Sequence, residues 1–267
     1  QMEILDIIGY LGALLIGLVL GLIGGGGSIL TVPILVYALA FDPVIATAYS
    51  LFVVGSTSLV GALKNMMKGM VEIKTAIIFA LPAFIAVYLT RAFLVPAIPE
   101  SLFEVGNVMV TKNLAIMLFF SIIMLLAAIA MLRNEHKETD DASEIAYNYP
   151  LIIIEGFLIG AITGIVGAGG GFLIIPALVL FANLPMKKAV ATSLFIIAIK
   201  SLFGFLGDVQ YLNIDWLFLI SFTAISIIGI FIGIWLNRFI NGNKLKKAFG
   251  WFVLIMAIYI IYKELSV

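Results

Sequence analysis

One glycine-rich signature occurs twice in this chain, as GLIGGGGSILTVPILV (Gly21–Val36) and as GIVGAGGGFLIIPALV (Gly164–Val179). The copies lie 143 residues apart, and each combines a glycine cluster with a proline a few residues later. A glycine inside a helix costs about 1 kcal/mol relative to alanine, so four of them in five positions favour a break. The signature therefore predicts two apolar helices that are interrupted at matching places.

The composition around these breaks is that of a membrane protein. Of the 267 residues 63% are hydrophobic and 11% are charged, and the mean hydropathy is +1.22. Runs of about 20 apolar residues are long enough to cross the hydrocarbon core, and they lack the short alternation of barrel strands. The pattern predicts an all-α polytopic bundle in a membrane. The expected segments are 4–23, 28–40, 43–63, 74–95, 112–132, 150–167, 171–182, 187–207, 214–237 and 246–263.

The two halves align without gaps at the offset of 143, and 13 of 32 positions match between Gly21 and Phe52. Matched Gly, Pro and Ser positions are hard to obtain by chance between apolar helices, so we interpret the pattern as a duplication. The predicted organisation is a first membrane repeat (1–132), a polar cytoplasmic linker (133–149) and a second membrane repeat (150–267).

Loop charge predicts how the repeats are oriented. If 4–40 crosses twice, or enters and returns, eleven basic loop residues share one side of the membrane and three lie on the other. With a single crossing the division is eight against six. The positive-inside rule prefers the first arrangement, which gives each half an odd number of crossings and hence an inverted repeat. Whether 28–40 and 171–182 span the membrane or are re-entrant stays open.

The glycine breaks are the first candidate site. We expect a new helix to begin near Ser28, a good N-cap, so that free backbone N–H groups and the positive end of the helix dipole attract an anion. The alternative is that the glycines only allow close helix packing. The candidate residues in the breaks are Gly24, Gly25, Gly26, Gly27 and Ser28, then Gly167, Gly169, Gly170 and Gly171.

Side chains outside the breaks complete the expected site. Ser50 and its counterpart Ser193, together with Thr192, offer hydroxyl groups, although each could instead bond a carbonyl one turn back. Lys200 is the only basic residue deep in an apolar run, and such a charge is expensive, so we expect it to pair with an anionic substrate. A snorkelling lysine, or one paired with Glu155, is the alternative. Arg91 is expected at the interface and Asp208 in solvent.

These residues resemble the TauE/SafE family of sulfite and organosulfonate exporters. The likeness rests on GIVGAGGGFLIIP, on ATSL (Ala191–Leu194) and on GDVQYLNIDW (Gly207–Trp216), and it covers nearly the whole chain. The resemblance implies a multispanning permease of the cell (inner) membrane, built from two related halves, that exports small anions such as sulfite or sulfonates. The first half departs from the pattern, with AYSL in place of ATSL and Ser28 in place of a glycine.

The predicted function is export of a small (sulfur) oxyanion such as sulfite or an organosulfonate by alternating access, with the substrate held between the two breaks. An anion channel of the same fold and a non-transporting structural subunit are the alternatives. An intramembrane enzyme is disfavoured by the lack of Cys, paired carboxylates or an embedded His, since His136 lies in the polar linker. The expected partners are the anionic substrate and the lipid bilayer, with a homodimer left open. No nucleic acid, metal or cofactor is expected.

Overall fold

A computed structural model describes residues 4–105, 108–133, 149–167, 170–180, 182 and 184–266. His136, Ala168 and Gly169, and nearly all of the predicted linker, lie outside the described residues. Nearly every described element is a helix, as predicted for an all-α membrane protein.

The first half contains four long helices and several short elements. Helix α1 ends at the first glycine cluster, and Asp42 caps α3 by accepting a hydrogen bond of 2.9 Å from the backbone of Val44. An antiparallel hairpin, which the sequence analysis did not predict, fills the connection before α6. The elements are α1 (Ile4–Ile23), a 3₁₀ turn (Gly24–Gly26), α2 (Gly27–Pro33) with a π-helical extension (Ile34–Ala38), α3 (Pro43–Met66), α4 (Ile73–Leu89) with a π-helical extension (Thr90–Leu94), α5 (Val95–Ala97), β1 (Ser101–Val105), β2 (Val108–Thr111) and α6 (Lys112–Arg133).

The second half follows the same order of helices. Helix α7 ends before the second glycine cluster, and Asp215 caps α10 by accepting from the backbone of Phe218 at 3.0 Å. The elements are α7 (Tyr149–Val166), α8 (Gly171–Leu180), α9 (Met186–Asp208), α10 (Trp216–Asn237) and α11 (Gly242–Leu265).

Helices that occupy equivalent places in the two halves pack reciprocally. Helix α1 packs on α10, and its counterpart α7 packs on α4, the counterpart of α10. Helices α3 and α9 pack on each other at the centre, as do α6 and α11. Glycines at Gly17 and Gly21 bring α1 against the backbone of α10, while Gly160 and Gly164 bring α7 against α4. Small residues at four-residue spacing allow this close approach in membrane helices.

A matched pair of hydrogen bonds joins the early part of each central helix, α3 or α9, to the loop that follows the other one. The Glu72 backbone donates to the Thr192 hydroxyl at 3.0 Å, and the Asp215 backbone donates to the Tyr49 hydroxyl at 2.8 Å. Thr192 and Asp215 are the positions equivalent to Tyr49 and Glu72. The start of each helix therefore lies beside the end of the other, so α3 and α9 are antiparallel. This is the geometry that an inverted repeat requires, and the repeat itself stays a prediction.

The outer surface of the bundle is apolar along the helices. Leu81, Leu126, Leu217 and Ile255 are each more than half exposed. Apolar patches of this extent mark a surface that faces something other than water. Five helices in the described part of the chain are long and apolar enough to cross a bilayer, while α1, α2 and α7 are shorter apolar helices.

Candidate functional site

Helices α1 and α7 end in the same way, on a glycine with a left-handed backbone. Gly24 has φ of +66° and Gly167 has φ of +69°, and these are equivalent positions. A glycine in this conformation commonly terminates a helix because it carries no Cβ to clash. The sequence prediction of two glycine-broken helices is thus confirmed.

The two breaks meet inside the bundle. A side chain added at Gly25 would collide with the backbone of Gly171, so the two glycine clusters touch directly. Each break also packs on the central helix of the other half, Gly24 on α9 at Val190 and Gly167 on α3 at Thr47. Close packing, the structural alternative for the glycines, is therefore observed here. It does not account for the side chains that surround the second break.

Two buried cations lie against the second break. The Arg91 guanidinium contacts Gly167 where a Cβ would stand, and a Cβ on Gly170 would lie 2.5 Å from the Lys200 Nζ. Both cationic side chains are 0% exposed. Gly167 and Gly170 are three residues apart, so their Cα atoms are separated by at most about 11 Å. Helix α8 begins next, at Gly171. The backbone N–H groups of Leu173 and Ile174 donate to the Gly170 carbonyl, and the N–H groups of residues 171 and 172 precede the helical hydrogen-bond ladder.

Arg91 is paired with a buried carboxylate on α9. Its Nη1 lies 3.5 Å from Oδ1 of Asp208, which is 4% exposed. The Nε and Nη2 atoms of Arg91 have no hydrogen-bond partner among the described residues. The expectations that Arg91 is interfacial and Asp208 solvated are therefore wrong. A π-helical turn at Thr90–Leu94 carries Arg91, and such turns occur frequently at functional sites.

Among the described residues Lys200 has one hydrogen-bond partner, since its Nζ donates to the Thr163 hydroxyl at 2.7 Å. In the described part of the chain no carboxylate lies within salt-bridge distance of it, so the alternative pairing with Glu155 is not observed. Together, Arg91, Lys200 and Asp208 leave one positive charge uncompensated beside the break. A buried charge in a membrane protein is expensive unless a counter-charge is present, so this arrangement suits an anion.

The predicted hydroxyl residues have different surroundings. Ser193 donates to the Val190 carbonyl at 2.8 Å, and its Oγ occupies the space that the missing side chain of Gly24 leaves. Ser50 is fully buried, and its hydroxyl has no partner among the described atoms. It lies three residues after Thr47, on the face of α3 that contacts the second break. Thr192 instead binds the loop before α4.

The N-cap prediction for Ser28 is wrong. Helix α2 begins at Gly27, and the Ser28 hydroxyl donates to the Gly25 carbonyl at 2.5 Å instead of accepting a backbone N–H. The 3₁₀ segment before α2 places the Gly25 carbonyl within reach of the Ser28 hydroxyl, so the hydroxyl donates to that carbonyl. Gly26 lies within that 3₁₀ segment. Helix α2 is only seven residues long before its π-helical extension, so the first break is a weaker candidate for an anion site than the second.

A basic vestibule opens near the first break. The vestibule encloses about 310 Å³, and its lining includes Val190, the residue against which Gly24 packs. Lys68, Lys187 and Arg238 belong to three of the loops that the charge count predicts on one side of the membrane. Their position around one cavity agrees with that prediction. The vestibule is lined by Gly21, Asn65, Lys68, Met70, Lys187, Val190, Ala191, Ile234, Asn237 and Arg238.

The family model for the sulfite exporter TauE/SafE matches residues 10–260. The chain belongs to the TauE/SafE family. A probable membrane transporter protein of Xylella fastidiosa is 30% identical over 258 residues, which are 94% of this chain and 92% of the relative. A probable membrane transporter protein of Methanocaldococcus jannaschii is 38% identical over 116 residues, 41% of this chain and 43% of that protein. No solved structure gives a significant match. As a TauE/SafE member, the chain is a multi-pass membrane transporter.

The sequence analysis did not select Arg91 or Asp208 for the site. Arg91 lies near the end of an apolar segment and Asp208 at the end of another, and those positions resemble a membrane interface. One available signal was that both are charged residues within apolar runs of different halves. Their proximity depends on α4 packing against α9.

Proposed function

We propose that this TauE/SafE protein exports a small oxyanion, with sulfite or an organosulfonate as the first candidates, by alternating access. The observation that carries the proposal is the placement of two fully buried cations, Arg91 and Lys200, at one glycine break. The anion is held at the second break, where α8 begins, beside Arg91 and Lys200. Charge complementarity, backbone N–H groups and the unpartnered Ser50 hydroxyl supply its contacts.

The contact between Gly25 and Gly171 supports alternating access over a channel. Backbone that touches backbone leaves no room for an ion to pass between the breaks, so conduction requires that the halves move. Inverted repeats move as units around a fixed site. Export of an anion is favoured by an inside-negative potential, at about 2.3 kcal/mol per charge per 100 mV, so no coupling ion is required.

The test is flux in proteoliposomes that contain the purified protein. Sulfite-loaded vesicles are expected to show saturable efflux that isethionate inhibits and an equal concentration of chloride inhibits less. Lys200→Met is expected to abolish this flux, and Lys188→Met, at an exposed position of the same helix, to leave it unchanged. Flux that rises linearly with concentration would favour the channel. If the protein shows no flux and no anion-dependent thermal stabilisation, the proposal is rejected and a structural subunit is favoured.

A further inference from the structure

Three cations converge on the vestibule from separate parts of the chain. Lys68 follows α3, Lys187 begins α9, and Arg238 follows α10. In the described part of the chain no carboxylate lies within salt-bridge distance of them. Partial desolvation lowers the pKa of Lys68, and the positive charge of Arg238 lowers it further. A concave surface lined by one sign of charge concentrates ions of the opposite sign.

The general bias of basic residues toward one membrane face does not by itself account for this grouping. Lys188 lies next to Lys187 and on the same face, but it is exposed and outside the cavity. Lys64 is engaged elsewhere, with its Nζ 4.4 Å from the centroid of the Phe231 ring. The vestibule is thus lined by some of the basic residues of this face and not by others.

The duplication supplies an internal comparison. At the offset of 143, the positions equivalent to Lys68, Lys187 and Arg238 are Tyr211, Val44 and Val95. None of the three carries a charge. The basic vestibule is therefore a property of one face and not of the repeated architecture. Asymmetry of this kind gives a transporter different anion affinities on its two sides.

The size and lining of the cavity indicate the class of ligand. At about 30 Å³ per water in the liquid, 310 Å³ holds about ten waters, enough for a small oxyanion with part of its hydration shell. Asn65 adds a side-chain amide to the lining, whereas the Nδ2 of Asn237 already donates to the Leu22 carbonyl. Val190 lines the vestibule and also contacts Gly24, so one wall of the vestibule adjoins the first break.

We propose that the vestibule is a second anion site, which takes a small oxyanion from the basic face before it reaches the central site at Arg91 and Lys200. Its existence as a binding site does not require transport, whereas its role in loading rests on the proposed function. The two are separated by measuring binding and flux independently.

A cysteine reporter tests the binding site directly, since the sequence contains no Cys. Met70→Cys places a thiol in the vestibule and keeps all three cations, while Met67→Cys, at a position 90% exposed and outside the cavity, is the matched control. Each is reacted with an anionic and with a cationic methanethiosulfonate of similar size. The anionic-to-cationic rate ratio is expected to be at least fivefold higher at position 70. Sulfate should reduce the anionic rate there and leave the control unaffected.

Charge removal then assigns this effect to the named residues. Lys187→Gln in the Met70→Cys background is expected to lower the rate ratio by about 25-fold, because a unit charge about 4 Å away in bulk water changes the anionic and the cationic rate by about fivefold each, in opposite directions. Lys188→Gln should leave it unchanged. Equal ratios at positions 70 and 67, or equal effects of the two Lys variants, would overturn the proposal.

Flux measured from each side completes the test. In oriented vesicles, Lys187→Gln should raise KM for anion supplied at the basic face by about fivefold and leave kcat and the opposite-face KM unchanged. An unchanged KM at the basic face would overturn the loading role even if the cysteine results hold. If Lys200→Met fails to affect flux while the cysteine results hold, the central site is wrong and the vestibule stands.

Discussion

Lys200→Met separates a ligand-binding lysine from a structural one, because the two roles predict opposite effects on stability. The buried ammonium costs at least about 2.5–3.5 kcal/mol in a membrane. Its one hydrogen bond, to Thr163, returns about 1.5–3 kcal/mol. Thr163 keeps a bond to the Gly160 carbonyl at 3.2 Å, so the substitution leaves no unsatisfied hydroxyl donor. The variant is therefore expected to be as stable as the wild type without anion, or about 1–2 kcal/mol more stable.

The anion-bound state should respond in the opposite way. At 100 times its Kd, an anion stabilises the wild-type protein by about 2.7 kcal/mol, or very roughly 5–10 °C in Tm. Removing one partner of a buried charge pair costs about 3–5 kcal/mol, so the Kd of the variant should rise more than 100-fold. At the same anion concentration the variant should therefore show no shift in Tm.

The assay is thermal unfolding in detergent, followed by tryptophan fluorescence, with sulfite titrated into wild type, Lys200→Met and Lys188→Met. The last variant removes an exposed lysine of the same helix and should match the wild type in both measurements. A Lys200→Met protein that keeps the wild-type anion shift would refute the ligand role. A variant that loses several kcal/mol without anion would show that Lys200 acts structurally.

Three other substitutions test the surrounding structure. Asp208→Asn leaves the buried Arg91 without a counter-charge and should destabilise the anion-free protein by about 3–5 kcal/mol. The Tm should therefore fall, and added anion should partly restore it. An unchanged Tm would contradict the ion pair. Gly25→Ala places a Cβ against Gly171 and should cost about 1–3 kcal/mol and abolish flux, so full flux would contradict the contact between the breaks. Tyr49→Phe removes the acceptor for a backbone N–H before α10 and should cost about 1 kcal/mol in Tm measurements, with no effect on anion affinity.

Much of the architecture was predictable because the bilayer restricts what the chain can do. Every backbone group in the hydrocarbon core must be paired internally, so long apolar runs become helices. The predicted segment 214–237 corresponds to α10 at Trp216–Asn237, and 171–182 to α8 at Gly171–Leu180. The hairpin Ser101–Thr111 was not predicted, because it is a connection and carries no strong apolar period.

The candidate site was predictable in part. Lys200 stands out because a lone charge in an apolar run is costly wherever the helix packs. Arg91 and Asp208 did not stand out, since charges near the ends of segments commonly reach water. Ser28 followed a good N-capping pattern, but the 3₁₀ turn before α2 gives its hydroxyl another partner.

The sequence by itself determined that this is a helical membrane protein with two glycine-broken helices, since hydropathy and backbone freedom are local properties of the chain. The relation of the two halves by duplication stays a prediction. The sequence also identified Lys200 as a candidate site residue, because a charge deep in an apolar run is energetically costly. Only the tertiary structure decided which side chains meet at a break. Arg91 reaches Gly167 and Asp208 because α4 packs between α7 and α9, and Lys200 reaches Gly170 because α8 lies on α9. Together these contacts place a buried excess of positive charge at the second break. That excess cannot be read from the sequence, because the charged residues are far apart along the chain.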